Sequence, residues 1–567
     1  MPAYQDQSSF EPVQPHTIIV IHPGSLYVRI GRASDINPHT ELHAVARKRL
    51  SGGLPHNDTI LPPYLQRRPE VLQEMEECRL QVSHTLQSCL QSNGQRRYAT
   101  PPQQIAAFNR RVQPEVMSTS GGEWSTMDSD FIVGDEILHL NPDLKYNVHF
   151  PIQKGELNIH SGVGGSLTSV LNDLQTIWCW IINNKLNIPL QDLENYRAVL
   201  VIPDIYNRLH LKELTTLLLC KIGFGSCFLL QDHVAATFGA GLGCACVIDC
   251  GHQKTSVSCV EDGISHPATR VRIDYGGSDI TQCLHWLLQK CAFPYKNCKP
   301  TYNPLDALLL QKLKHDTCHV NLDVCGSTER TFAVRQPQIP ALRYTIQMAD
   351  ECIIAPLGLF QPELLGITGP KSVVTQKRSS GDPQDPHDGD YLRETSRRGA
   401  KEVLETTTEG ALAGESCTTG GGDEDIVVDG MLEVQSGPQC QVNEMKEFTL
   451  GPEQQLGLDQ AVLQSIDRCS SDDLKRKMYA CILIVGGGMK FQGISTWLQN
   501  KIALQIPYML RTEQMDIITF PKETDPQITV WKGAAILSGL ESAHELWICP
   551  QEWEKYSVKV LRERAPF

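Results

Sequence analysis

The sequence predicts an α/β fold of two related lobes closing on a shared cleft, and three glycine-centred turns carry that prediction. The first is Ile18 to Gly31, IIVIHPGSLYVRIG: a strand, a tight Pro-Gly-Ser turn, and a returning strand that bears Arg29. Such a hairpin offers backbone N–H groups and a hydroxyl to a phosphate, because Gly24 lets the chain turn without a Cβ clash. Ala245 to Val260, ACVIDCGHQKTSVSCV, repeats the unit. The third turn lies in Cys481 to Gln499, CILIVGGGMKFQGISTWLQ, where an aliphatic strand runs through three glycines into an amphipathic helix. Two phosphate-type hairpins far apart in one chain imply a duplicated core that holds a nucleotide from both sides. For the glycine triplet two readings stand: close approach of a base or ribose, or a strand-to-helix turn that needs tight packing.

Between these turns the pattern alternates. Ser166 caps a helix running through Ile182, with Leu167, Val170, Leu171, Leu174, Ile177, Trp178, Ile181 and Ile182 at helical spacing. Ala198 to Ile202 reads as a buried strand, Asn207 to Ile222 as a helix stopped by Gly223, and Cys227 to Leu230 as another strand. This order predicts parallel sheets covered by helices, with the cleft between two such lobes as the ligand site.

A chain of 567 residues, 41% hydrophobic and 20% charged, is long enough for two or more lobes and has the composition of a globular protein. No apolar run reaches membrane-spanning length and no basic segment leads into a long apolar one, so an intracellular, soluble protein without membrane contact is expected. The 20 cysteines are scattered and contain no CxxC pair, which supports neither a disulfide framework nor a zinc knuckle. GAGLG at Gly239 to Gly243 is no dinucleotide fingerprint, and Lys254-Thr255 lacks the upstream spacing of a phosphate-binding loop.

Charge is uneven. Ser379 to Leu450 holds 16 acidic and 5 basic residues, a net of −11 out of −14, and is rich in Gly, Thr and Ser, the composition of a solvated, disordered insertion. Its aspartates at 382, 385, 388 and 390 do not match a calcium loop. Leu42 to Val112 holds 10 Lys/Arg against 5 Asp/Glu, clustered at Arg47-Lys48-Arg49, Arg67-Arg68, Arg96-Arg97 and Arg110-Arg111. The acidic arm suits histones and the basic segment suits a phosphate backbone; solubilising loops are the equal alternative for both.

The order of the three turns resembles the actin family, as do FIVGDEILHLNP (Phe131 to Pro142), HFPIQKGELN (His149 to Asn158), RVRIDYGGSDITQCL (Arg270 to Leu284), TVWKGAAIL (Thr529 to Leu537) and ELWICPQEWEKY (Glu545 to Tyr556). VIHPGS, FPIQKGELNIH, IPDIYN, DCGHQKTSVSCVEDG and the terminal LRERAPF resemble the actin-related protein 8 family in particular. The resemblance implies a two-lobed actin-like ATPase fold with two large insertions. It divides the chain into a tail (1–16), a first lobe (17–41 and 131–270), a basic insertion (42–130), a second lobe (271–378 and 451–567, its end returning to the first) and the acidic insertion (379–450).

By that resemblance the nucleotide contacts fall on Gly24, Ser25, Leu26 and Arg29 of the first turn, Asp249, Cys250, Gly251 and His252 of the second, and Gly486, Gly487 and Gly488 of the third. The family's magnesium-holding aspartate in the first hairpin is His22 here, followed by Pro23, and a further aspartate of the second is His252. Imidazole suits a hard cation poorly. Leu26 stands for a glycine and Arg29 for a lysine, and Asp232, after Gln231, falls near the glutamine that positions water. The implied ligand is ATP, with ADP the alternative, bound with weak magnesium and little turnover; no catalytic or metal residue is assigned. His22 also reads as a plain turn histidine.

The resemblance further implies a nuclear, chromatin-associated subunit of the Ino-eighty remodelling complex. Its partners would be the motor subunit's helical segment, nuclear actin, actin-related protein 4, histones in the nucleosome, and DNA through the basic insertion, in service of transcription and repair. A filament-forming ATPase is the alternative, and edge insertions obstruct its repeated contacts. A sugar kinase or chaperone is a third class, and the sequence offers no acceptor-side carboxylate or peptide-binding domain for either.

Overall fold

The computed structural model describes residues 14–62, 68–125, 128–141, 144–367, 373–376, 456–511 and 514–565. The acidic segment 379–450 and almost all of the tail 1–16 lie outside the described residues.

Two sheets share one topology. In the first, strands Ile18–Pro23 and Tyr27–Arg32 form a hairpin, Arg197–Ile202 lies parallel to Ile18–Pro23, and Ser226–Gln231 lies parallel beyond it. In the second, Cys244–Cys250 and Thr255–Glu261 form the hairpin, with Cys481–Val485 and Asp516–Ile518 following in parallel. Each hairpin carries one more antiparallel strand outside it, His39–Leu42 in the first and Val271–Ile273 in the second. The duplication expected from the two turns is therefore a duplication of whole sheets. Strands buried on both faces read as continuous apolar runs such as IIVI and CACVI.

Local signals set the element ends. Ser166 Oγ accepts the Ser169 N–H at 3.2 Å and starts helix Leu167–Asn184. Helix Arg208–Thr216 is capped by Asn207 and widens into a π-turn at Leu217–Ile222, which Gly223 ends at φ 91°. Helices Asp232–Ala240 and Thr529–Ser538 cross against each other in a core built from both sheets, which includes Val20, Val199, Val247 and Leu483. A Cβ on Gly533 would stand 1.7 Å from the Ala235 carbonyl oxygen, and one on Gly239 would stand 2.1 Å from that of Thr529. The GAGLG glycines begin with a helix contact, not a ligand contact. Trp531 is fully buried there and donates to the Val20 carbonyl at 3.1 Å.

The segment 42–130 differs from a freestanding basic insertion. Its first residues run inside the core: Val45–Lys48 pairs with Phe131–Val133 and Tyr146–His149. Its later part lies on the second lobe. There Arg97 reaches Asp350 at 3.0 Å, Glu76 reaches Lys290 at 2.8 Å, and strand Glu115–Ser120 joins Pro340–Met348. Arg47 is tied to Asp173, and Lys48 to Asp128 at 2.6 Å, so these members of the first basic cluster already have carboxylate partners. Buried apolar positions on helix Pro69–Ser88 (Met75, Val82, Leu86) explain why this segment folds instead of staying solvated.

Candidate functional site

The three turns converge on one cleft. Its walls include His22, Gly24, Ser25, Leu26 and Arg29 from the first hairpin, Asp249, Gly251, His252 and Lys254 from the second, and Gly486 to Gly488, with about 1000 Å³ of empty space including the mouth. Ten of the eleven expected contact residues line the cleft. Cys250 does not: its buried Sγ accepts from Thr255 Oγ1 at 3.3 Å beneath the glycine turn, and only its carbonyl serves the site by accepting the Gly488 N–H at 2.8 Å. Alternation along a strand turns the side chain after Asp249 to the opposite face.

The first turn is held from behind. Its Gly24 carbonyl accepts from His43 Nδ1 at 2.6 Å, and His43 Nε2 accepts from Trp178 Nε1 at 3.3 Å, which fixes the imidazole as the neutral Nδ1–H tautomer. Burial pulls the His43 pKa down to about 4. Among the described residues the Ser25 and Leu26 amides donate to no partner. Arg29 leans on Gln527 Oε1 at 3.4 Å, and its Nε is buried without a partner. His22 Nδ1 and Gln311 Oε1, on the same walls, are likewise unpartnered. Buried polar atoms left open in one cavity call for a polar ligand, and the guanidinium calls for an anionic one.

At the third turn, two of the glycines answer to the fold. Gly486 has φ +86° and a Cβ there would lie 2.3 Å from the Cys250 carbonyl oxygen; at Gly488 it would lie 2.4 Å from Cys250 Sγ. At Gly487 the atoms it would meet first are those of the Gln527 side chain, from 3.4 Å. Packing explains the outer pair, and the cleft is what remains to explain the middle one.

The charge centre of the cleft is a residue the sequence reading set aside. Lys254 Nζ lies 3.0 Å from Asp232 Oδ2 and 3.9 Å from Asp249 Oδ2. Burial works against all three charges. Even so, Asp232 and Asp249 together keep Lys254 above its usual range, and Lys254 with His233 holds Asp232 below its own, while burial pushes Asp249 up. Asp232, not Gln231, lines the cleft: Gln231 donates to Asp204 at 3.1 Å on the far side. His22 is neutral, its pKa pulled to about 3 by burial and by Arg29. His252 is neutral too, lowered to about 4 by burial, and its Nε2 donates to the Ile60 carbonyl at 2.9 Å. His233 lies beside both carboxylates but bonds Ser258 and Ser256 through its two nitrogens, at 2.6 and 2.9 Å.

A magnesium ion asks for near-octahedral oxygen ligands. Here the two carboxylates already face an ammonium and the neighbouring imidazoles are neutral or engaged, so this donor set fits the ion poorly. The fit to a nucleotide is good. A second buried lysine, Lys314, reaches the wall from helix Pro304–Thr317, donates to the Gly277 carbonyl at 2.7 Å, and is lowered by burial to about 8. Its signal was in the sequence: Ala307, Leu310 and Lys314 share one buried stripe of that helix, and lysine is foreign to such a stripe.

Paired sheets of one topology, a helix crossing between them and a phosphate-suited cleft define a two-lobed nucleotide-binding protein of actin type. The actin family model matches residues 13–566. The chain belongs to the actin family, and its relatives are actin-related proteins 8. That of Aedes aegypti is 58% identical over 562 residues, covering 98% of each chain. That of Drosophila melanogaster is 44% identical, covering 99% of this chain and 96% of its own; that of Bos taurus is 40% identical, covering 98% and 93%. Among solved structures, the human actin-related protein Arp8 in its ATP-bound state superposes with a TM-score of 0.83 at 38% identity, covering 98% of this chain and 97% of that one.

Proposed function

We propose that this chain holds ATP as a structural ligand, with slow or absent hydrolysis and little need for magnesium, and serves as a nuclear scaffold subunit of the Ino-eighty remodelling complex. The observation that carries the first half is Lys254 between Asp232 and Asp249. An ammonium there takes the place between the carboxylates that a dication would occupy, offsets only one of their charges, and cannot coordinate phosphate oxygens and an attacking water together. Asp232 is tied to that ammonium, so it is a weak base towards water. The relative solved with ATP supports the choice of ligand.

The second half rests on what the resemblance to the actin-related protein 8 family implies. It assigns the chain to the motor subunit's helical segment beside nuclear actin and actin-related protein 4, with contacts to histones and DNA in transcription and repair. Any DNA contact through segment 42–130 belongs to Arg68, Arg96, Arg110 and Arg111, which are exposed, and not to Arg47 and Lys48, which face Asp173 and Asp128. The test of the ligand reading is purified protein given ATP with and without EDTA: ATP is retained in both, and single-turnover phosphate release stays near background. Rapid release, or ATP lost on chelation, would overturn it. For the partners, replacing Arg110 and Arg111 by Glu should weaken nucleosomal DNA binding and flatten its salt dependence; an unchanged salt slope removes DNA from that surface.

A further inference from the structure

Away from the cleft, three histidine rings stack beside an aspartate where three separate stretches of chain meet. His56 lies 5.2 Å from His149 and 4.8 Å from His160 between ring centroids, with interplanar angles of 13° and 16°. Asp58 Oδ1 faces His56 Nε2 at 3.1 Å. One ligand atom each from His56, Asp58 and His149 lies within 4.8 Å of the others.

Everything around these groups is fixed. Residues 56–58 run alongside strand Tyr146–His149: Val148 N–H donates to the His56 carbonyl at 3.2 Å, Asp58 N–H to that of Val148 at 2.9 Å, and His56 N–H to Asn147 Oδ1 at 3.1 Å. Asp58 Oδ2 accepts from the Phe150 amide at 2.8 Å and from Asn158 Nδ2 at 3.2 Å, which leaves Oδ1 facing the histidines. Gly164, at φ +81°, lies against the His149 ring so closely that a Cβ would stand 2.2 Å from Cε1. His149 is 6% exposed and its ring stacks on that of His56. Two imidazoles and a carboxylate held this close on a fixed backbone converge their donor atoms on one point.

We propose that His56, Asp58 and His149 bind one zinc ion, with water in the fourth position and His160 stacked behind as support. Two imidazoles and one carboxylate are a ligand set zinc takes, and ligands about 2.0–2.1 Å from a tetrahedral ion stand roughly 3.3 Å apart, close to the spacing of His56 and Asp58. The ion replaces their hydrogen bond and draws His149 inward. Oriented supporting bonds, such as those on Asp58 Oδ2, are what metal ligands require. Burial keeps His149 below its usual pKa and so neutral, the form that ligates. Arg47 stands nearby but is paired with Asp173, which limits its repulsion of a cation. The ion would clasp the start of segment 42–130 to the strand and loop at 146–165.

Because the chain also carries many free thiols, cobalt(II) is the discriminating probe. The intact protein, metal-stripped and then titrated with cobalt, should take one equivalent with tetrahedral visible absorption and no sulfur charge-transfer band. Zinc should displace it and raise the thermal midpoint. His149→Gln should lose that equivalent, and Asp58→Asn should weaken it tenfold or more, with ATP retention reporting that each variant is folded. Cobalt absorption carrying a thiolate band, or equal zinc uptake by wild type and both variants, would overturn the site. If His149→Gln fails to fold, the wild-type spectrum and Asp58→Asn decide alone.

Discussion

The two phosphate hairpins occupy the same place in two sheets of the same topology and have diverged in opposite directions. The first presents a neutral His22 and a cationic Arg29; the second presents Asp249 with its own lysine three residues beyond Gly251. Neither has the surplus of negative charge that would draw a dication into the cleft. One half has replaced a carboxylate, the other has neutralised it. The backbone geometry of phosphate binding is thus separable from the electrostatics of hydrolysis, and the comparison can be attacked residue by residue.

The largest effect is expected from Lys254→Gln. It leaves Asp232 and Asp249 facing each other in a buried site without the ammonium between them, a loss on the order of 3–5 kcal/mol. Urea denaturation should show that loss, and millimolar magnesium should recover part of it, because two carboxylates become free for the ion. An unchanged midpoint would show that the ammonium is not what stabilises the pair.

Next comes the support of the first hairpin. His43 is neutral in the fold with a pKa of about 4 against 6.5 for a free side chain. Below pH 6.5 the unfolded chain takes up a proton that the folded one refuses until about pH 4. Stability therefore falls as pH drops through this window, by about 1.4 kcal/mol per unit and about 3 kcal/mol in all. Denaturation between pH 7 and 4 should show an acid slope that is shallower by one proton in His43→Gln. A parallel slope would mean that His43 is charged in the fold, and the tie to Gly24 would need another explanation. The second hairpin has its own example in His252, lowered by burial to about 4, so the same experiment on His252→Asn compares the halves directly.

A third test concerns affinity. Arg29→Ala removes the cleft's guanidinium, whose Nε has no partner, and should weaken ATP binding by roughly 30–150-fold, the worth of a charge-assisted contact of about 2–3 kcal/mol. Equilibrium binding with a fluorescent ATP analogue measures it. A loss under threefold would move phosphate recognition from the first hairpin to the backbone and Lys314.

Strands, turns and the duplicated core were legible because they follow from local pattern: IIVIHPGS and CVIDCGHQ announce strand, turn and strand, and Ser166 and Gly223 mark helix ends by their own chemistry. What the sequence hid was long-range pairing. Nothing near Lys254 says that Asp232 meets it, since the two are 22 residues apart and come together only when helix Asp232–Ala240 docks beside the second hairpin. Charge counting misled for the same reason: Arg47 and Arg97 look like free cations until Asp173 and Asp350 arrive from other elements. His43 was invisible as a support because its two partners, Gly24 and Trp178, lie on different elements. Lys314 alone was readable, as a charge on an apolar stripe.

The smallest and sharpest test separates the two readings of the glycine triplet. At Gly486 a side chain is strained by φ +86° and collides with the Cys250 carbonyl, and at Gly488 it collides with Cys250 itself, so alanine at either position should lower the thermal midpoint whether or not nucleotide is present. At Gly487 the nearest atoms are those of the Gln527 side chain, beginning at 3.4 Å, an ordinary contact, and the cost to the fold should stay below about 1 kcal/mol. If the ligand lies against this backbone, Gly487→Ala should still cut ATP affinity by about tenfold while the ligand-free midpoint barely moves. The two measurements must diverge at Gly487 and run together at Gly486. Should Gly487→Ala bind ATP like wild type, the triplet is a packing device linking the second hairpin to strand Cys481–Val485, and the nucleotide is held by the two hairpins without it.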